Sequence, residues 1–219
     1  MEDNPKPNDI PFKNISGGSS SAGFVKKLIL FLEEQLPIFS TQGRVSAENN
    51  EDFITDQLCQ FLNRIVMMKT YSFYFHHQKY QVQKKGQKRS VDFAGILNTE
   101  DVDSEVIFCI EAKKLPTPGS GREREYVLGN GGGIERFKIG AHGLDNAGNL
   151  VEHNGIIGYV TNYKFKHWLA QINQWISEAG WDDSEKLAAS YFSTTAKLIS
   201  SHSRTSGETV NLSHFWVNI

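Results

Sequence analysis

One short passage constrains this chain more than any other: VIFCIEAKKL, Val106–Leu115. Five apolar residues, Val106 to Ile110, run without a break into Glu111, Ala112 and two lysines, Lys113 and Lys114. A short, continuously apolar run of this kind suits a central strand buried on both faces. Side chains two apart in a strand share a face, so Glu111 and Lys113 project together while Ala112 points away. A carboxylate and an ammonium at the end of a buried strand carry a large desolvation cost. They need compensation, from each other, from a metal ion or from an open cleft.

The preceding segment, KRSVDFAGIL, predicts a neighbouring strand over Val91–Leu97 with Asp92 just ahead of its apolar run. The joint Asn98–Glu105 holds four acids and no base, as an exposed turn between antiparallel neighbours would. Hairpin pairing then brings Asp92 beside Glu111. Two carboxylates that approach closely repel, and a hard divalent cation relieves that repulsion through oxygen ligands. Magnesium held by Asp92 and Glu111 would bind a phosphate oxygen and lower the pKa of a water. Lys113 would orient or help deprotonate that water and neutralise the phosphate.

On these residues, Ser90–Leu115 resembles the PD-(D/E)xK signature of the restriction-endonuclease-like nuclease superfamily. An acid on one strand and acid-x-lysine on the next map onto Asp92 and onto Glu111, Ala112 and Lys113. Acid-x-lysine occurs once in the chain, at the end of its most strand-like run, while Val91 stands where the signature has proline. The resemblance covers roughly Glu48–Ile176. It implies an α/β fold, with a mixed central β-sheet flanked by helices in the order helix, strand, strand, strand, helix, strand, helix. It further implies Mg²⁺-dependent phosphodiester hydrolysis, with Mn²⁺ as a substitute, and a metal-facing carbonyl at Ala112. A supporting glutamate on the helix before the first strand falls on Glu51, with Glu48 the weaker candidate.

The rest of the chain divides into a flexible tail, 1–22, and a single nuclease-like domain, 23–219. A helix over Phe24–Leu36 carries Val25, Leu28, Leu32 and Leu36 and should stop at Pro37. A second, about Ala47–Met67, repeats Ile54, Leu58, Phe61 and Ile65 and has Ser46 as cap. Tyr71–Val82 reads as a strand, Ile134–Ile139 as a short helix and Gly155–Val160 as a strand. Tyr163–Ala179 reads as a helix with Phe165, Trp168, Leu169, Ile172, Trp175 and Ile176 on one face. Tyr191–Ile199 is expected to be helical and Val210–Val217 to be a closing strand. Cys59 and Cys109 lie within apolar runs and read as small buried hydrophobes of a reducing compartment. With no signal peptide, and LILFL the longest apolar stretch, a cytoplasmic protein without a membrane anchor is expected.

A net charge of −2 leaves nucleic-acid binding to local clusters. Lys84, Lys85, Lys88 and Arg89 belong to a stretch between Lys69 and Arg89 with no acid. Lys114, Arg122, Arg124, Arg136 and His142 follow the acid-x-lysine triplet and could clamp phosphates across a cleft. His76 and His77 read as structural. The expected partner is DNA, most naturally double-stranded, cut by a homodimer or by a nuclease subunit directed by a partner ATPase or helicase, in restriction or anti-phage defence. A non-catalytic DNA-binding or assembly subunit of the same fold, or a junction- or RNA-specific nuclease, stands as the alternative.

Overall fold

The structure, a computed structural model, describes residues 21–81, 89–98, 105–129 and 132–219. Two helices come first, α1 (Ser21–Thr41) and α2 (Glu51–Lys69), then the strands β1 (Phe73–Gln81), β2 (Arg89–Leu97) and β3 (Val106–Leu115). A short helix α3 (Gly133–Lys138), strand β4 (His153–Val160) and helix α4 (Phe165–Glu178) follow. The chain ends in β5 (Ala188–Phe192), β6 (Thr195–Ser203) and β7 (Thr209–Asn218). All seven strands join one mixed sheet in the order β1-β2-β3-β4-β7-β6-β5. β3, β4 and β7 run parallel at its centre, and the pairs on either side are antiparallel.

Burial follows from that arrangement. Parallel central strands are covered on both faces, and all ten residues of β3 are buried. Phe108, Ile110 and Ala112 turn to the face packed by α1 and α2. Cys109 and Leu115 turn to the face that carries α3 and α4. Helices thus sandwich the sheet, and the alternation along β3 sends Glu111 and Lys113 toward the α3 side. Among the described residues no helix is long and apolar enough to cross a membrane. Both cysteines are free and buried, and Trp168 and Trp175 are core residues of α4.

Several expected boundaries are corrected. Ser21 and Ala22, assigned to the tail, open α1, which also runs through Pro37 to Thr41. The apolar stripe continues past the proline to Phe39, which is fully buried, so packing outweighs the lost backbone bond. Asn50, not Ser46, caps α2, its side chain accepting from Phe53 N at 2.7 Å. Tyr191–Ile199 is not helical but spans the β5–β6 hairpin. Its inward residues Ala196 and Leu198 recur every second position, the period of a strand, and the same alternation continues to Ser200 and His202. β3 extends beyond Ile110 to Leu115, which places the whole acid-x-lysine triplet within a strand.

Candidate functional site

The site begins where the sheet comes apart. β2 pairs with β3 from Ile96–Val106 to Phe93–Ile110 and no further, although its pairing with β1 continues to Gln81–Arg89. Beyond Ile110 a notch opens beside β3. The N–H groups of Ala112 and Lys114, two residues apart on one strand edge, then need other acceptors. Asp92 Oδ2 accepts from Ala112 N at 2.6 Å, and Glu51 Oε2 accepts from Lys114 N at 2.8 Å. Two carboxylates take the place of a departed strand. Glu51 is the first residue of α2, where the helix dipole also favours negative charge.

Lys113 and Glu111 fill the notch from the α3 side. Lys113 Nζ lies 3.4 Å from Glu51 Oε1 and 3.5 Å from Glu111 Oε2. Glu111 is completely buried. Arg136 Nη1 of α3 reaches its Oε2 at 3.2 Å, and His142 Nδ1 stands 2.6 Å from its Oε1. That last approach is short, yet neither Glu111 Oε1 nor His142 Nδ1 has an aligned hydrogen bond. At 2.6 Å His142 still helps to hold the Glu111 carboxyl in its ionised form.

Burial pushes the Asp92 carboxyl up to about 8, with the Glu111 charge adding to it, against the pull of Lys113 and the Ala112 N–H. Asp92 as a whole residue is only half-buried, so it is the depth of its carboxyl in the notch that matters. Glu111 moves the other way. Burial alone would raise it, but His142, Lys113 and Arg136 together bring it down to about 2. Burial would lower Lys113, and the charges of Glu111, Glu51 and Asp92 more than reverse this, so it stays protonated. At neutral pH the notch therefore holds an ionised Glu111 and a charged Lys113 beside an Asp92 whose carboxyl is pushed toward its protonated form.

Among the described residues no three His, Cys, Asp or Glu side chains converge into a protein-only metal cage. The oxygen donors of Asp92 and Glu111 fit a hard cation that draws much of its shell from water and phosphate. Mutual repulsion of these carboxylates, expressed in Asp92, is the feature such an ion would relieve.

The remaining candidates are placed as follows. Lys114 is buried, its ammonium donating to Ala47 O and Asn49 O at 2.7 and 2.8 Å, which ties the turn before α2 to β3. Arg122 and Arg124 are about half-exposed and pair with Glu125 and Glu178, each at 2.6 Å. Arg136 and His142, expected to contact phosphates, both stand on Glu111. Lys84, Lys85 and Lys88 lie outside the described residues, and Arg89 opens β2 opposite Gln81. Glu48 is exposed in the turn before α2. His76 is exposed, and His77 lies 3.7 Å from Asp56.

Two features were not read from the sequence. Gln81, at the end of β1, grips Leu144 through its main chain, accepting from its N at 2.6 Å and donating to its O at 3.2 Å. This anchors the loop that delivers His142. The second is a buried polar chain across β6 and β7. Trp216 Nε1 donates to the Tyr126 hydroxyl (2.9 Å), and that hydroxyl to His214 Nδ1 (2.9 Å). His214 Nε2 then donates to Ser200 Oγ and Ser200 to His202 Nε2, both at 2.7 Å. His202 Nδ1 ends the chain on Glu185 Oε2 at 2.8 Å, a carboxylate that Lys138 also holds. Since Trp can only donate and a carboxylate only accept, this direction uses every hydrogen once.

Comparison with protein-family models, with characterised proteins and with solved structures finds no match to this chain.

Proposed function

We propose that the protein is a metal-dependent nuclease that hydrolyses phosphodiesters of DNA at the notch beside β3. The observation that carries this reading is the meeting of Asp92, Glu111, Lys113 and Glu51, drawn from β2, β3 and α2, at one opening in the sheet. The element order α2, β1, β2, β3, α3, β4, α4 is also that of the restriction-endonuclease-like core which the sequence resembles.

Asp92 and Glu111 would hold Mg²⁺ or Mn²⁺, with the Ala112 carbonyl beside them, and the bound ion would acidify water and screen phosphate charge. Lys113 keeps its proton, so its part is to neutralise phosphate and orient water rather than to accept a proton. Glu51 positions Lys113 by taking both its ammonium and the next backbone N–H. Double-stranded DNA is the proposed substrate, with a homodimer or an ATPase or helicase partner supplying the target choice and defence the setting.

A second reading is favoured by one observation: Glu111 is enclosed by Lys113, Arg136 and His142. A silent DNA-binding subunit of the same fold would show the same enclosure. Plasmid cleavage separates the two. Wild type, Glu111→Ala and Lys113→Ala are compared in Mg²⁺, in Mn²⁺ and in EDTA. The nuclease reading expects metal-dependent cutting that falls on the order of 10²–10³-fold in each variant. Cutting that survives both substitutions would place the chemistry elsewhere.

A further inference from the structure

The two side chains that α3 and its loop set on Glu111 pose a question that the nuclease reading leaves open. A carboxylate already held by Arg136 and His142 is not available to a metal. Both arrive from one stretch, α3 and the loop after it, whereas Lys113 belongs to β3 itself. That stretch is fastened at its far end by Gln81 on Leu144 and crosses Gly143, whose φ of +81° suits glycine. The contact it makes with Glu111 is uneven. Arg136 bonds Oε2 at 3.2 Å from a side chain about a third exposed, while His142 touches Oε1 without alignment.

Resting on that reading, we infer that Arg136 and His142 form a substrate-operated latch. In the free protein they occupy the Glu111 carboxylate and keep the metal position closed. When nucleic-acid phosphate enters the notch, the same two groups turn to it and release the Glu111 carboxylate to the cation. Burial explains why the exchange must be concerted. Glu111 stripped of both partners without a metal would keep, among the described residues, only Lys113 at 3.5 Å, too little for a fully enclosed charge. Metal and phosphate therefore bind cooperatively, and linkage makes the effect reciprocal. The phosphate donors and the cap on the metal site are one pair of residues. Free protein would accordingly bind metal poorly, and water in the notch would not be activated without substrate.

The test is Mn²⁺ binding followed by electron paramagnetic resonance, with and without a short duplex DNA, so that the readout is occupancy and not cleavage. In wild type the duplex should raise Mn²⁺ affinity about tenfold or more, within the usual range of such couplings. In Arg136→Gln/His142→Asn, Mn²⁺ should bind comparably tightly without DNA, and the duplex should add little. Arg136→Gln alone changes the more exposed partner and should lie between; it carries the test if the double variant fails to fold. Equal Mn²⁺ affinity in wild type with and without duplex, or no gain in either variant, overturns the latch and leaves the nuclease reading standing. No Mn²⁺ binding to any of the proteins, with duplex or without, overturns both.

Discussion

Asp92 and Glu111 occupy the same notch, yet their pKa values shift in opposite directions and so act on stability in opposite directions. The Asp92 carboxyl rises from 3.8 in the unfolded chain to about 8 in the fold. A raised pKa gives stability that is full below 3.8 and is lost as pH climbs through 8. Asp92→Asn keeps an acceptor for the Ala112 N–H and removes the titration. In EDTA its urea midpoint should match wild type near pH 4 and exceed it at pH 8. The gain should be on the order of 2 kcal/mol, below the full shift because the residue is half-buried. Glu111 falls from 4.5 to about 2, so its contribution is full above 4.5 and lost as pH drops through 2. Glu111→Gln leaves Lys113, Arg136 and His142 facing each other and should cost about 3 kcal/mol at pH 7. Stabilisation by Glu111→Gln would mean that the cluster is not paired as described. Strand alternation made Glu111 and Lys113 legible before any fold was known, and the hairpin joint brought in Asp92. Nothing periodic marks a loop that folds back, so Arg136 and His142 were read as phosphate contacts and their hold on Glu111 was not foreseen.

At the scale of elements, local rules failed where packing decided the outcome. Pro37 reads as a stop, but the α1 stripe from Val25 to Phe39 stays buried on the sheet and carries the helix across it. The segment Tyr191–Ile199 reads as a helix from its sequence but folds as the β5–β6 hairpin. What distinguishes it is the inward set Ala196, Leu198, Ser200 and His202, which includes polar residues that a search for apolar periodicity passes over. Those polar residues give β6 and β7 a shared sensitivity to acid. Burial, partly offset by Glu185, lowers His202 from 6.5 to about 4, and burial holds His214 well below its ordinary value. The uncharged form is the one folded into the sheet. Stability from His202 is complete above 6.5 and is lost as pH falls toward 4. The loss is on the order of 3 kcal/mol over that window. Urea unfolding at pH 7 and at pH 4.5 should show it, and His202→Gln should flatten the difference. An equal pH dependence in the variant would remove His202 from the account.

For the molecule as a whole, the mixed α/β architecture was readable from a few strongly patterned segments. The continuous apolar run at β3 announced a central strand covered on both faces, and the broad apolar face of α4 announced one of the covering helices. Placement of β7 between β4 and β6 was not readable, because it depends on which buried edges match rather than on any local signal. The parting of β2 from β3 was equally hidden, and it has a kinetic signature of its own. Amide hydrogens in a fully buried central strand ordinarily exchange with solvent only when the whole sheet opens. Ala112 and Lys114 should break that rule, since each is shielded by a single side chain. In native-state exchange, Asp92→Ala should deprotect the Ala112 amide and Glu51→Ala the Lys114 amide, each by about tenfold or more. Ile110, still within the ladder, should stay slow in both. The strand at the centre of the fold would then carry two amide clocks, each set by one carboxylate of the notch.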